Sequence, residues 1–208
     1  MKKGAFITIE GCEGVGKSTQ TAMLKNYFES INRDALFLRE PGGTDISEKI
    51  RSVILDTSNV GMSGICEALL YSAARAQLIE EVIAPALAAG RIIVCDRFTD
   101  STFAYQGCAR NLGEDVITRL NDIACCGISP DITIFLDLEP EAAFKRKGGA
   151  DTGDRLECAG IEFHRRVYEG YLKCAKAYPS RFRRVDASSD AEVIHREIIE
   201  LLKAAGVV

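Results

Sequence analysis

The stretch Gly11-Cys12-Glu13-Gly14-Val15-Gly16-Lys17-Ser18 fits the pattern G-x-x-x-x-G-K-[ST] without a gap. Its glycines let the backbone wrap a phosphate chain with the N–H groups pointing inward. Lys17 would reach the outer phosphates, and the Ser18 hydroxyl would hold a magnesium ion. A helix opening at this point, with Thr19 in its first turn, would add the positive end of its dipole.

The flanks suit this reading. Ala5 to Glu10 is a short apolar run with β-branched residues, the signature of a buried strand, and Thr19 to Ser30 reads as a helix with Ala22, Leu24, Tyr27 and Phe28 on its apolar side. Further strands are expected at 35–39, 91–95, 131–137 and 182–186. Between them lie a short helix capped by Ser47 and a long one over 63–89, bent by Pro85 and stopped by Gly90. Others span 99–106, 114–126 with Gly127 as its stop, 140–147 and 154–178, and Asp190 caps the last. Strands alternating with helices predict one α/β domain over residues 1–208: a three-layer phosphate-loop fold, its parallel sheet of about five strands covered by helices on both faces. Ligands in such folds gather beyond the C-terminal strand ends. The phosphate loop, Glu40-Pro41, Asp96-Arg97 and Asp137 all fall there.

Composition narrows the classes. A net charge of -4 argues against a nucleic-acid binder, so phosphate recognition must rest on local arginines and lysines. No run reaches the roughly 18 apolar residues of a membrane helix, and Met1-Lys2-Lys3-Gly4 leads straight into a strand with no room for a signal peptide. The 8 cysteines form no C-x-x-C pair and read as reduced residues of a cytoplasmic protein, and the 2 histidines are too isolated for a metal site.

A phosphate loop says nucleotide and no more. The remaining motifs add Arg39-Glu-Pro-Gly-Gly-Thr44, Leu69-Leu-Tyr-Ser-Ala-Ala-Arg75, Asp96-Arg-Phe-Thr-Asp-Ser-Thr-Phe-Ala-Tyr-Gln106, Asp154-Arg-Leu-Glu157 and Val185-Asp-Ala-Ser188. In this order they resemble the thymidylate kinase family, over residues 7–188. The resemblance implies transfer of the γ-phosphate of Mg-ATP to dTMP, giving dTDP for dTTP synthesis, by a homodimer. It implies that Arg97 grips the acceptor phosphate with help from Arg51, that Glu13 meets the sugar 3′-OH or a metal, and that Asp96 acts with Ser18 on the magnesium shell. Tyr71 would stack on thymine, Arg75 would donate to its O4, and Thr102 would meet N3. Tyr105 would lie against C2′ of the sugar, with Glu40, Pro41, Ser101 and Gln106 nearby.

Residues 146–155 match the lid over the ATP phosphates. The phosphate loop holds no arginine, so the resemblance is to the bacterial type, in which lid residues supply a catalytic cation. This sequence departs from that pattern. Its lid centre, Gly148 to Gly153, carries no positive charge, which leaves Arg146, Arg155 and Lys147, in that order of expectation. Glu162 matches an acid near the acceptor. Two other classes stay open on the residues alone: a kinase for another nucleotide or a deoxynucleoside, and a nucleotide-dependent switch, which should lack a deep acceptor pocket.

Overall fold

A computed structural model describes residues 4–148 and 153–208. Among these, strands β1 (Ala5–Glu10), β2 (Ala35–Arg39), β3 (Ile92–Asp96), β4 (Ile132–Asp137) and β5 (Phe182–Asp186) form one all-parallel sheet in the order β2-β3-β1-β4-β5. Alternation along β1 divides the core. Ile7 and Ile9 join a large apolar cluster with Leu24, Phe28, Val167 and Ile198. Phe6 faces the other way, into a cluster with Ile93, Cys95, Leu78 and Phe98. Thr8 and Glu10 share the parity of Phe6, so the strand that leads into the phosphate loop ends in a carboxylate aimed into the protein.

The α-helices among the described residues are α1 (Lys17–Ser30), α2 (Asp45–Leu55), α3 (Gly64–Leu78), α4 (Ala84–Ala88), α5 (Thr99–Thr102), α6 (Glu114–Cys125), α7 (Pro140–Lys147), α8 (Ile161–Ala177) and α9 (Ala191–Ala204). Several differ from the sequence reading in ways that shape the site. Helix α2 is capped by Thr44, whose hydroxyl accepts from Ser47 N at 3.1 Å. Ser47 lies inside the helix, with its own hydroxyl donating to Ala74 O at 2.8 Å. The expected helix 63–89 is broken by a π-helical turn at Ile79–Ile83, where the Ala84 N–H reaches back to Ile79 O. Pro85 follows at the first turn of α4, and the wider turn upstream relieves the clash its ring would make.

A second π-helical turn, Phe103–Ala109, continues α5 past the expected end at Gln106. It turns both Tyr105 and Gln106 inward. The expected helix 154–178 starts only at Ile161, because Gly160 at φ +82° breaks the chain direction first. Helix α6 ends at Cys125, and the left-handed Cys126 at φ +48° caps it ahead of the expected stop at Gly127. Asp190 precedes α9 but makes no side-chain cap bond. Helix α8 approaches the Phe103–Ala109 turn closely: a Cβ on Gly170 would stand 2.7 Å from Ala104 Cα.

Candidate active site

The loop after β1 takes backbone angles that suit glycine, with φ +147° at Gly11, +78° at Gly14 and +102° at Gly16. A side chain on Gly14 would also strike Ala143 O at 2.6 Å, so α7 is seated directly against the loop. Lys17 opens α1, and its buried Nζ donates to Gly11 O at 3.1 Å and Cys12 O at 2.8 Å. Burial and the neighbouring Arg97 push its pKa down, against the pull of Glu13 and Asp96. Ser18 and Thr19 are exposed, while Cys12 and Val15 belong to the core. Burial lifts the Cys12 thiol to about 12, so it stays protonated.

Across the loop stands Arg97, left-handed at φ +71°. Its Nη1 donates to Gly11 O at 3.0 Å, Tyr171 Oη at 3.1 Å and Ser101 Oγ at 3.2 Å, and Nη2 pairs with Glu13. Its guanidinium lies 5.1 Å from the centre of the Tyr105 ring. Burial works against both charges of the pair, but mutual attraction wins. Glu13 is held down to about 2 by Arg97, Lys17 and Lys147, and Arg97 is pushed well above its ordinary value by Glu13. Behind them Glu10 accepts from Ser101 Oγ at 2.6 Å, Phe98 N at 2.7 Å and Tyr171 Oη at 3.0 Å. Burial and Asp100 raise its carboxyl to about 7.

These groups line a cavity of about 530 Å³. Glu13, Gly14, Gly16, Lys17, Ser18 and Thr19 of the phosphate loop and α1 line it. So do Glu40, Pro41, Arg51, Tyr71, Asp96, Arg97, Ser101, Thr102, Tyr105 and Gln106. Arg146 and Lys147 at the end of α7 line it too, as do Arg39, Leu55, Asp154, Leu156 and Glu157. Arg39 and Arg51 converge on Pro41 O, at 2.8 and 3.0 Å.

Six expected residues stand outside that lining: Gly11, Cys12 and Val15 of the phosphate loop, and Arg75, Arg155 and Glu162. Arg75 is 1% exposed and lies behind the wall, bound to Glu40 Oε2, Thr102 Oγ1 and Asn121 Oδ1. Arg155 is buried: its Nη2 pairs with Glu67 at 2.7 Å and its Nε donates to Ile54 O at 2.9 Å. Glu162 is on the surface of α8, paired with Arg165. Of the remaining cations, Arg146 donates to Ala187 O at 2.9 Å, and Lys147 pairs with Glu157. Positions 149–152, the centre of the expected lid, lie outside the described residues.

The arrangement suits chemistry between two anions. The same cavity offers the phosphate loop with Lys17 to a polyphosphate, and arginines with two tyrosine rings to a second anion. A sequence model of the family described as Thymidylate kinase matches residues 9–198. The chain belongs to the thymidylate kinase family. It is 45% identical over 201 residues to a thymidylate kinase of Thermoanaerobacter sp. strain X514, covering 97% of this chain and 98% of that one. It is 43% identical over 205 residues to a thymidylate kinase of Clostridium novyi strain NT, covering 98% and 100%. The crystal structure of thymidylate kinase from Ehrlichia chaffeensis superposes with a TM-score of 0.80 at 31% identity, covering 96% of this chain and 99% of that one. The sheet and helices described above are thus the thymidylate kinase fold.

Reading the thymidylate kinase motifs in the sequence missed several groups of this site. Glu10 had a signal, a carboxylate inside an apolar strand. Arg39 had one too, at the C-terminal end of β2. Tyr171, Glu67 and Asn121 had none, since each meets the site only through the packing of distant helices.

Proposed function

We propose that the chain transfers the γ-phosphoryl group of ATP to dTMP, giving dTDP for dTTP synthesis, within one catalytic domain over residues 1–208. The observation that carries this is the shared cavity: Gly14, Gly16 and Lys17 of the phosphate loop, the arginines Arg51 and Arg97, and the rings of Tyr71 and Tyr105 line one space. A switch protein needs no such acceptor chamber. Lys17 and the N–H groups of the loop hold the donor phosphates. Arg97, braced by Glu13, grips the acceptor phosphate with Arg51, and a guanidinium fork suits that task. Tyr71 stacks on the base, Arg75 and Thr102 read its polar edge, and the Tyr105 ring crowds C2′ of the sugar.

Mg²⁺ fits here. Asp96 Oδ1 is buried with no hydrogen-bond partner, and the exposed Ser18 hydroxyl lines the same cavity. These two residues would hold the ion, which offsets phosphate charge when bound.

The test is an acceptor panel with Mg-ATP. dTMP is expected to be best, dUMP about 10-fold or more weaker through the lost methyl contact, its ribose counterpart weaker again, and dCMP nearly inert. Equal rates with dCMP or dGMP would remove the assignment.

We also infer a cytoplasmic homodimer. All eight cysteines are free, which suits a reducing compartment, and no helix among the described residues is long and apolar enough to cross a membrane. Exposed apolar residues recur at helical spacing on elements that pack together: Ile46 and Val53 on α2, Ile65 and Leu69 on α3, Val116 and Ile123 on α6. Light scattering at micromolar concentration is expected to give twice the 22.7 kDa chain mass, and Leu69→Asp with Ile123→Asp to give the monomer. A wild-type monomer would refute it.

A further inference from the structure

Arg75 has five N–H donors in a fixed fork. Nε donates to Glu40 Oε2 at 2.8 Å, and Nη2 pairs with the same oxygen at 2.7 Å. Nη2 also donates to Thr102 Oγ1 at 2.9 Å, and Nη1 donates to Asn121 Oδ1 at 2.9 Å. Three hydrogens thus have acceptors, one on each nitrogen. One hydrogen on each Nη is left, held in the plane of the fork. The Phe98 ring, 5.0 Å from the guanidinium carbon, closes one face. Burial opposes the charge of Arg75, but the Glu40 carboxylate keeps it ionised.

We propose that Asn121 is a positioning residue for recognition of the acceptor base, acting through Arg75. The inference rests on the reading above, in which Arg75 faces the polar edge of thymine. Glu40 and Thr102 fix one side of the guanidinium, and both are near the acceptor chamber. Asn121 reaches the other side from α6. By holding Nη1 it fixes the plane of the whole fork, and with it the direction of the two remaining N–H groups, which are then the donors left for a carbonyl oxygen on the base. Thr102 takes part in the same relay. Its Oγ1 already accepts from Nη2, so its own hydrogen and second lone pair are left to the ligand.

The far side of Asn121 opens onto a second cavity of about 560 Å³, shared with Thr118, Cys125 and Ser129. Truncating Asn121 therefore enlarges an existing space instead of leaving a sealed void, and water can enter. Water satisfies Nη1 without holding the guanidinium in one orientation. Removing Asn121 is thus expected to blur base recognition more than it harms folding.

The experiment compares Asn121→Ala, Asn121→Leu and Asn121→Asp with the wild type, measuring kcat and KM for dTMP, dCMP and ATP, together with Tm. Alanine and leucine are expected to raise KM for dTMP about 10-fold and to narrow the preference for dTMP over dCMP, with KM for ATP within about 2-fold of wild type. Aspartate retains an acceptor oxygen and is expected to recover most of the loss. Native KM and native preference in the leucine variant would overturn the proposal. So would equal losses towards ATP, failure of aspartate to recover what alanine loses, or loss of folding in all three variants. A wild-type chain inert towards dTMP would overturn the functional reading itself, and this inference with it.

Discussion

Replacing Arg97 by alanine is expected to lower kcat/KM for dTMP by about 10²–10³-fold while KM for ATP stays within a few-fold of wild type. The guanidinium spends Nη1 on Gly11 O, Ser101 Oγ and Tyr171 Oη and Nη2 on Glu13, and those contacts aim it across the phosphate loop. On the proposed reading, alanine would remove the grip on the acceptor phosphate. It also frees Glu13, whose charge Arg97 now offsets, to repel both phosphate chains. Each effect is worth about 1.5–3 kcal/mol for a charged hydrogen-bonded group, which is why the combined loss is large. Arg97→Lys keeps the charge but not the fork, so it should recover only part of the rate. Adding Glu13→Gln to Arg97→Ala separates the two contributions, because the repulsion then disappears and the lost grip does not. A folded alanine variant with near-native activity would make Arg97 a purely structural residue.

Arg146→Ala is expected to reduce kcat by about 10³-fold or more, with the affinity for dTMP little changed. Phosphoryl transfer spreads negative charge over the moving group, and within the phosphate loop Lys17 is the only cation. Arg146 lies in the last turn of α7, which rests on Gly14, and it lines the cavity. Among the described residues its partners are carbonyls, Ala187 O at 2.9 Å and Ser188 O at 3.5 Å. Lys147 would have to leave Glu157. Arg155 would have to abandon Glu67 and Ile54 O from a buried position outside the cavity lining, a cost of several kcal/mol. On these grounds Lys147 moves ahead of Arg155 as second candidate. Single-turnover rates of the three alanine variants check the order. If Arg155→Ala loses kcat while Arg146→Ala keeps it, the assignment is reversed. A folded triple variant that turns over at the native rate would show that none of these cations acts on the transferred group.

What could be read directly in the chain was whatever depends on near neighbours. The phosphate loop is eight consecutive residues whose glycines each have a local backbone reason, and the strands are apolar runs bounded by turn residues. Strand positions, the parallel sheet and the family motifs followed. The misplaced boundaries were local signals outvoted by packing. Pro85 marks a bend, but the π-helical turn that accommodates it begins at Ile79. Asp154 opens a plausible helix, but Gly160 defers it to Ile161.

Which arginines line the cavity and which are buried behind it was decided only by tertiary structure. Arg75, Arg97 and Arg155 each stand in a family motif and look alike in sequence. Their partners lie far along the chain: Arg75 meets Glu40 at a separation of 35 residues and Asn121 at 46, and Arg155 donates to Ile54 O at 101. Glu10 finds Tyr171 at 161. Burial makes those pairings obligatory, because an ionised group withdrawn from water must find its counter-charge and its hydrogen bonds inside the protein. A linear pattern shows that a charge is present. Only the packing of α3, α6 and α8 around the end of β1 shows whether that charge has already been neutralised or is left to meet a phosphate.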